Sequence, residues 1–596
     1  MKKFLLFGVC LFLTMGMLHG QTATNIYTTN PAAGDVLQGN YNPADYASGN
    51  VISNPEDIVQ GLIQQINSDS LHNYMEALGS FGNRNSGSDT LSAVRGIGAA
   101  RTWALAEMDQ FSLANEDRLV VSFLQFDINI CDITRHKNVL GVLPGTDPQA
   151  GVVIIEGHMD SRCEGLCDTA CVAQGIDDNG SGSALVLELA RVMSQYTFTK
   201  TIVFMLTIGE EQGLYGAEAM AKYCKDNGVN VVAVLNNDIV GGVMCGHTAS
   251  APMCPFDTPI DSMNLRLFSN GLHLSLPKQL ARFSRLEYNE MARPHETVKM
   301  ELHVMTGEDR SGRGGDHQPF RAQGYPSIRF CSANENGDAN SSDSNYVDNQ
   351  HSSRDVMGYD TNNDMIIDSF LVDFNYLRRN ALVNANAAAM IAQGPVTPEK
   401  PVLQTLDGGG LVVTFADPNN YGKYRVACRY NSSVDWDTLV TFTSLSDTIW
   451  GLPNLKLQVD SGNPNNNWWI SVASLDSLDI ESLFTNESYK AVVDNTGIGD
   501  HEPYQEAAWE LHQNRPNPFD EATTITVQVH RRIPYDHAEV RIVDMAGREV
   551  VRMPIILDRE FNEVVFRHGL RNQGYLMYSL VVDGRTVDTK QMLFGF

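Results

Sequence analysis

Three short runs of uninterrupted apolar residues constrain the fold of this chain more than any other feature. Gly151–Ile155 reads GVVII, Thr201–Ile208 reads TIVFMLTI and Val229–Leu235 reads VNVVAVL. A strand with one wet face alternates polar and apolar residues, so continuous apolar strands need cover on both faces. Amphipathic helical stretches fall between them, over Ser183–Met193 and Leu214–Cys224. Apolar strands alternating with helices predict an α/β domain, a mostly parallel mixed sheet sandwiched by helices. Further helical spacing occurs at Ile58, Leu62, Ile63 and Ile66 and over Ala99–Met108, and the last helix of this domain is expected over Ser369–Ala392.

At 596 residues the chain is too long for one core. Lys2 and Lys3 precede an apolar run from Phe4 to about Leu18, and Leu18 and Gly20 stand before a cleavage point at Gln21. Residues 1–20 therefore read as a signal peptide. The run is shorter than the ~20 residues of a membrane span, and no other stretch is long and apolar enough to cross a bilayer. No transmembrane segment is expected after signal removal, and the expected location is secreted or on the cell surface. Residues 21–75 read as a leader or pro-segment with a helical start, and 76–393 as the α/β domain. Gly394-Pro-Val-Thr-Pro-Glu-Lys-Pro401 is a linker. Residues 400–495 and 508–596 then carry short alternating strands, predicting two small all-β sandwich modules. The first resembles a fibronectin type III domain, on strand spacing and on Tyr424 and Trp468-Trp469. The second is similar to the C-terminal sorting domain read by the type IX secretion system. That resemblance rests on Asn514-Arg-Pro-Asn-Pro-Phe519, Asp544-Met-Ala-Gly547, Gly574-Tyr575 and the final strand at Lys590. It implies the type IX secretion machinery as a partner.

The formal net charge of -28 argues against nucleic acid or an anionic membrane as partner, since phosphate binding needs a basic surface. Of ten cysteines, Cys10 leaves with the signal peptide. The nine that remain meet an oxidising compartment, so disulfides are expected, with at least one cysteine outside them. Cys163, Cys167 and Cys171 lack a nearby fourth ligand, and a disulfide-pinned loop is a better reading there than a thiolate zinc site. The pairing is open.

Each apolar run is followed by acidic or imidazole residues, and open α/β sheets gather ligand-binding groups at the C-terminal strand ends. The first gives Gly157-His158-Met159-Asp160, with His158 and Asp160 on one side of an extended chain. An Asp so placed can orient the imidazole as a metal ligand. Gly175-Ile-Asp177-Asp178-Asn-Gly-Ser-Gly182 is a polar turn whose free carboxylate can bridge two cations. After the second run, Glu210 and Glu211 point in different directions, so one can ligate while the other serves as base. The third ends in Asn236-Asn237-Asp238, and Gly314-Gly315-Asp316-His317 supplies another imidazole far downstream. His158, Asp177, Glu211, Asp238 and His317 make a nitrogen and oxygen donor set suited to zinc, or to cobalt or manganese. Sharing Asp177 gives each of two ions three protein ligands.

The motifs GHMDSR, GIDDNGSGS, EEQGLYGA, NND and GGDHQPF resemble, in order and spacing, those of the zinc exopeptidases that include bacterial leucine aminopeptidases, glutamate carboxypeptidases and glutaminyl cyclases. The resemblance covers about residues 76–393. It implies two zinc ions and peptide or protein substrates. By it His158 and Asp238 hold one zinc, Glu211 and His317 the other, and Asp177 bridges them, with a cis bond to Asp178. Asp160 orients His158, and Glu210 is the general base. His351 reads as a supporting or structural residue, because His317 completes the set, and His247 as a loop residue.

Aminopeptidase is the leading activity. A glutaminyl cyclase of the family would carry a longer insertion after the glutamate and lose the second carboxylate of the Asp-Asp pair. Here both motifs are intact. A carboxypeptidase or dipeptidase would grip a substrate carboxylate, and Arg310 and Arg313, close to His317, have the right chemistry. Pairing with Glu308, Asp309 or Asp316 is the plainer role for both. A non-catalytic adhesin is the reading from a different class, but neither a ligand nor the base is lost. Last, Asp360-Thr-Asn362-Asn-Asp364 resembles the first half of a calcium loop without its glycine or terminal glutamate. A polar turn is expected there, with a structural calcium ion as the alternative.

Overall fold

Continuous apolar strands need a core on each side of the sheet, and the chain builds both. In the computed structural model the described residues are 22–245, 260–271, 275–310, 313–334, 349–364, 366–405, 411–430, 433–449 and 466–492, and most of 509–594. In chain order the first part runs β1 (Thr24–Thr28), α1 (Pro31–Leu37), α2 (Pro55–Gln65), α3 (Ser68–Ser80), α4 (Gly96–Ala114), β2 (Val120–Ile130), β3 (Ile133–Leu143) and β4 (Val152–His158). It continues with α5 (Gly182–Met193), β5 (Thr201–Thr207), α6 (Tyr215–Asp226), β6 (Val231–Asn237), β7 (Asn264–Ser269), α7 (Leu276–Glu287), β8 (Glu301–Val304), α8 (His317–Ala322), β9 (Ser327–Ser332) and α9 (Phe374–Gln393). The strands form one 9-stranded sheet in the order β1-β2-β3-β5-β4-β6-β9-β7-β8. Its centre, β5-β4-β6-β9, is parallel, and β1, β2 and β3 extend it antiparallel.

The pleat explains the unbroken apolar runs. Val153 and Ile155 of β4 enter the core under α2, α3, α4, α5, α7 and α9. Val152 and Ile154 enter the opposite core, under α1, α6 and α8. β5 divides in the same way, with Ile202, Phe204 and Leu206 on one side and Val203 and Met205 on the other. The predicted α/β class, strands and helices are thus observed. Helix α9 starts later than expected because Asp373 caps it, accepting from the backbone of Asn375 and Tyr376, while Ser369 and Phe370 pair with Tyr359 and Gly358.

The segment read as a leader differs from that picture. β1 pairs with β2 at the sheet edge, and Ala33, Val36 and Leu37 of α1 are buried in the second core. These are short, locally weak patterns that only the finished sheet edge makes worthwhile. Residues 1–20, read above as a signal peptide, His247, Cys254 and residues 545–547 lie outside the described residues.

Residues 402–492 form an antiparallel sandwich of a 3-stranded and a 4-stranded sheet, with Tyr424 and Trp468 in its core. Its 4-stranded sheet packs on α7 within one compact unit, Met1–Asp494. A second unit, Asn495–Phe596, contains another pair of antiparallel sheets around Leu511, Ile525, Tyr578 and Met592. Two disulfides, Cys131–Cys167 and Cys163–Cys171, pin the loop that follows β4, as expected for that cysteine cluster.

Candidate metal centre

β4, β5 and β6 lie side by side, so the residues at their C-terminal ends meet. His158 ends β4, Glu210 and Glu211 follow β5, and Asp238 follows β6. Two groups of donors converge here. One is His158, Glu210 and Asp238, the other Asp178, Glu211 and His351, the donor atoms of each group lying within 4.8 Å of one another. Asp178 joins the groups: its Oδ1 is 3.2 Å from His158 Nε2 and its Oδ2 is 3.1 Å from His351 Nε2. Asp238 Oδ1 lies 3.6 Å from His158 Nε2, and Glu211 Oε2 lies 3.4 Å from His351 Nε2.

Of the expected ligands, His158, Glu211 and Asp238 come together, whereas Asp177 and His317 stand apart. The Asp177 carboxylate is turned away, accepting the backbone N–H groups of Gly241 and Gly242 through Oδ1 at 3.0 and 2.9 Å. Gly242 must be glycine for this approach, since a Cβ there would sit 2.2 Å from Asp177 Oδ2. The backbone is held from behind by Asp355, whose two oxygens accept the N–H groups of Asp177 and Asp178 at 3.0 and 2.9 Å. Adjacent side chains then diverge, and it is Asp178 that faces the imidazoles. The cis peptide bond likewise joins Asp178 to Asn179 rather than Asp177 to Asp178. His317 opens α8 and turns Nε2 onto the carbonyl of Glu308 at 3.1 Å; neither donor group contains it.

Asp160 lies against the His158 ring. Its backbone carbonyl is 3.1 Å and its Oδ1 3.5 Å from His158 Nδ1. Its two oxygens also accept the backbone N–H groups of Glu210 and Glu211, both at 3.3 Å. One buried carboxylate thus fixes the imidazole and the turn that carries both glutamates.

Arginines close the site. Arg162 Nε is 2.8 Å from Glu211 Oε2, and Arg329 Nη2 is 3.0 Å from Asp238 Oδ2. Arg329 Nη1 reaches Asp309 at 2.9 Å. Arg310 pairs with Asp309 at 3.2 Å, the plainer of its two expected roles, and Arg313 Nη1 lies 3.1 Å from His351 Nδ1. All four arginines line a cavity of about 350 Å³ that opens onto the donor groups.

The donors fit a bound cation. Among buried side-chain atoms, His158 Nε2 and Glu211 Oε1 have no hydrogen-bond partner, a costly state unless something else satisfies them. Burial pushes the Glu210 carboxyl well above its ordinary range and the Glu211 carboxyl up to about 7. Burial opposes a charge on His158, yet Glu210, Asp160, Asp178 and Asp238 outweigh it and hold the imidazole pKa high. Carboxylates crowded with imidazoles are relieved by cations, and this nitrogen and oxygen set suits zinc. By contrast the Asp360 segment folds onto itself, with Asp360 Oδ1 accepting the N–H groups of Asn362, Asn363 and Asp364.

Residues 138–369 match the model of peptidase family M28. A probable zinc metalloprotease of Leptosphaeria maculans is 32% identical over 363 residues, which span 59% of this chain and 80% of the relative. The chain belongs to peptidase family M28. It is, by that membership, a zinc metallopeptidase. The M28 chain is also 31% identical over 381 residues to a probable zinc metalloprotease of Pyricularia oryzae, covering 60% of this chain and 71% of the relative. Among solved structures it is similar to the Legionella pneumophila LapA aminopeptidase, with TM-score 0.41 and 18% identity over 58% of this chain and 76% of that one. The Porphyromonas gingivalis glutaminyl cyclase is similar with TM-score 0.36 and 16% identity, over 54% of this chain and 97% of that one.

Every donor of the two groups lies within the matched span of the M28 chain. The donors that sequence reasoning missed are Asp178 and His351. No local signal marked His351, because its segment is tied to the Asp-Asp turn through Asp355, 178 residues from Asp177. His317 hid His351 by filling the same chemical role.

Proposed function

We propose that the chain is a secreted exopeptidase with two zinc ions, acting on peptides or proteins and releasing residues from the N-terminus. In this reading His158 and Asp238 hold one ion, Glu211 and His351 the other, and Asp178 lies between them. The observation that carries it is the placing of one Asp178 oxygen toward each imidazole, as a bridging carboxylate requires. A zinc pair supplies polarisation of the scissile carbonyl and acidity for the attacking water. Glu210 stands beside His158 and Asp238, the position of a base that takes the proton of the water and returns it to the leaving amine. Asp160 keeps His158 and the Glu210–Glu211 turn in register.

In the same reading residues 1–20 are a signal peptide, 400–495 a fibronectin type III-like module and 508–596 an address for the type IX secretion machinery. Support for the address is its motif set and the separate compactness of the second unit.

Zinc analysis of the purified chain should find two ions. Glu210→Gln should retain both and lose about 10²–10⁴-fold in kcat, the usual share of a general base. Cleavage of N-blocked peptides would remove the N-terminal direction. Loss of ammonia from N-terminal glutaminyl peptides, without cleavage, would replace the hydrolase by a cyclase.

A further inference from the structure

We infer that Arg329, held in place by Asp309, is the positioning residue of one metal site: it occupies one oxygen of Asp238 and leaves the other to the ion. This rests on the two-zinc reading and adds how the ion at His158 is placed. Arg329 lies on β9, beside β6, with Asn236 as its partner across the strands. Its neighbours Ile328 and Phe330 enter the first core, so its guanidinium leaves the sheet on the opposite face. There it makes three contacts. Nη2 reaches Asp238 Oδ2 at 3.0 Å, Nη1 reaches Asp309 Oδ2 at 2.9 Å, and Nη1 also donates to the carbonyl of Gly314. The group passes so close to the backbone that a Cβ on Gly315 would lie 3.0 Å from Nη1. Water is kept out, with the Arg329 side chain 1% exposed and both carboxylates 3%.

Asp238 is therefore held at two points by one strand. Its backbone N–H donates to the Phe330 carbonyl at 3.2 Å, and its Oδ2 accepts from Arg329. What remains for the donor group is Oδ1, 3.6 Å from His158 Nε2. A free carboxylate can ligate through one oxygen or both; a guanidinium fixed on one of them selects the other. A guanidinium buried this deeply needs a counter-charge of its own, and Asp309 supplies it. Burial would raise the Asp309 carboxyl, yet Arg329 and Arg310 hold it well below the usual range. Asp309 belongs to neither donor group and reaches Asp238 through Arg329. The other donor group is served differently. Arg162 lies on Glu211 Oε2 at 2.8 Å, but its side chain is 18% exposed and it comes from the loop after β4. The two sites thus have separate outer partners, and a disturbance at Arg329 is felt by one ion.

Zinc affinity is measured by competition with a chelator on the full chain, for the wild type, Asp309→Asn, Arg329→Lys and the double variant. Asp309→Asn keeps an oxygen for the Arg310 N–H groups and removes the charge that faces Arg329. Arg329→Lys keeps the charge and loses the fork. Each should weaken one of the two zinc ions by about 10-fold or more and leave the other unchanged. The double variant should be no weaker than the worse single one, because Asp309 acts through Arg329. In the cobalt-substituted chain the visible absorption of one ion should shift, as Oδ2 becomes free to ligate. Should Arg329→Lys not fold, Gly315→Ala, which crowds Nη1 without removing a charge, carries the same expectation. Unchanged zinc affinity in both single variants, equal weakening of both ions, or effects that multiply in the double variant overturn the proposal and leave the two-zinc reading intact. A wild-type chain that binds fewer than two zinc ions overturns that reading instead.

Discussion

A carboxylate that joins two cations must turn one oxygen toward each. Asp177 is directed instead at the N–H groups of Gly241 and Gly242, whereas Asp178 turns one oxygen to each of two imidazoles. Burial alone would raise the Asp178 pKa, yet His158 and His351 overcome it and hold the carboxyl well below the usual range, the charge state a ligand needs. The same test divides the two candidate histidines. His351→Ala should leave one zinc per chain in place of two and lower kcat/KM by about 10²-fold or more, while His317→Ala should keep both ions, since it takes no ligand away. Metal analysis of the two purified variants decides; loss of zinc from His317→Ala instead would return the ligand role to the downstream imidazole.

The strand ends bring the ligands together, but a loop without regular structure finishes the site. Arg162 opens the loop after β4, and Cys131–Cys167 and Cys163–Cys171 tie the loop down. With the loop fixed, Arg162 is held on Glu211. A Cys163→Ser, Cys171→Ser double variant should lose about 2–3 kcal/mol of stability in denaturant titration. It should also weaken zinc by about 10-fold, the lower range for losing an outer partner of a ligand. Zinc affinity unchanged in a folded double variant would mean that the loop does not position Arg162.

At the scale of the whole molecule, the first β-sandwich is part of the peptidase unit. Arg282 of α7 and Arg429 of the sandwich share Glu487 at 2.9 and 2.8 Å, and Phe484, Ala427 and Ala473 join the main core. Glu481 lies in this junction with Glu287, Glu290 and Arg425. Burial pushes the Glu481 carboxyl up to about 7, with Arg425 opposing and Glu290 adding; Glu287 is raised by burial and by Glu481. A carboxyl whose pKa is raised on folding favours the folded state below its ordinary range, and that contribution is lost as pH rises through about 7. Glu481→Gln, which keeps the neutral form, should therefore match the wild type near pH 5. By pH 8 it should be the more stable by on the order of 1–3 kcal/mol. Thermal unfolding of both chains at the two pH values reads this; a constant gap would show that Glu481 does not titrate in the junction.

How much of this the sequence could settle follows from the range of the forces involved. Apolar runs and helical spacing are local, so the α/β class, β4, β5, β6, α5 and α6 were legible, as were His158, Asp160, Glu210, Glu211 and Asp238 at the strand ends. Choosing between neighbours was not local. Asp177 is taken out of the site by backbone 64 and 65 residues away. Asp178 is aimed by Asp355, 177 residues downstream. His317 and His351 offer the same imidazole, and only the packing of α8 against Glu308 turns one aside while the other meets Asp178. Local pattern settles the fold class and the kind of donors; packing in three dimensions selects which of two equivalent residues reaches the centre, because that depends on hydrogen-bond partners that adjacency along the chain does not reveal.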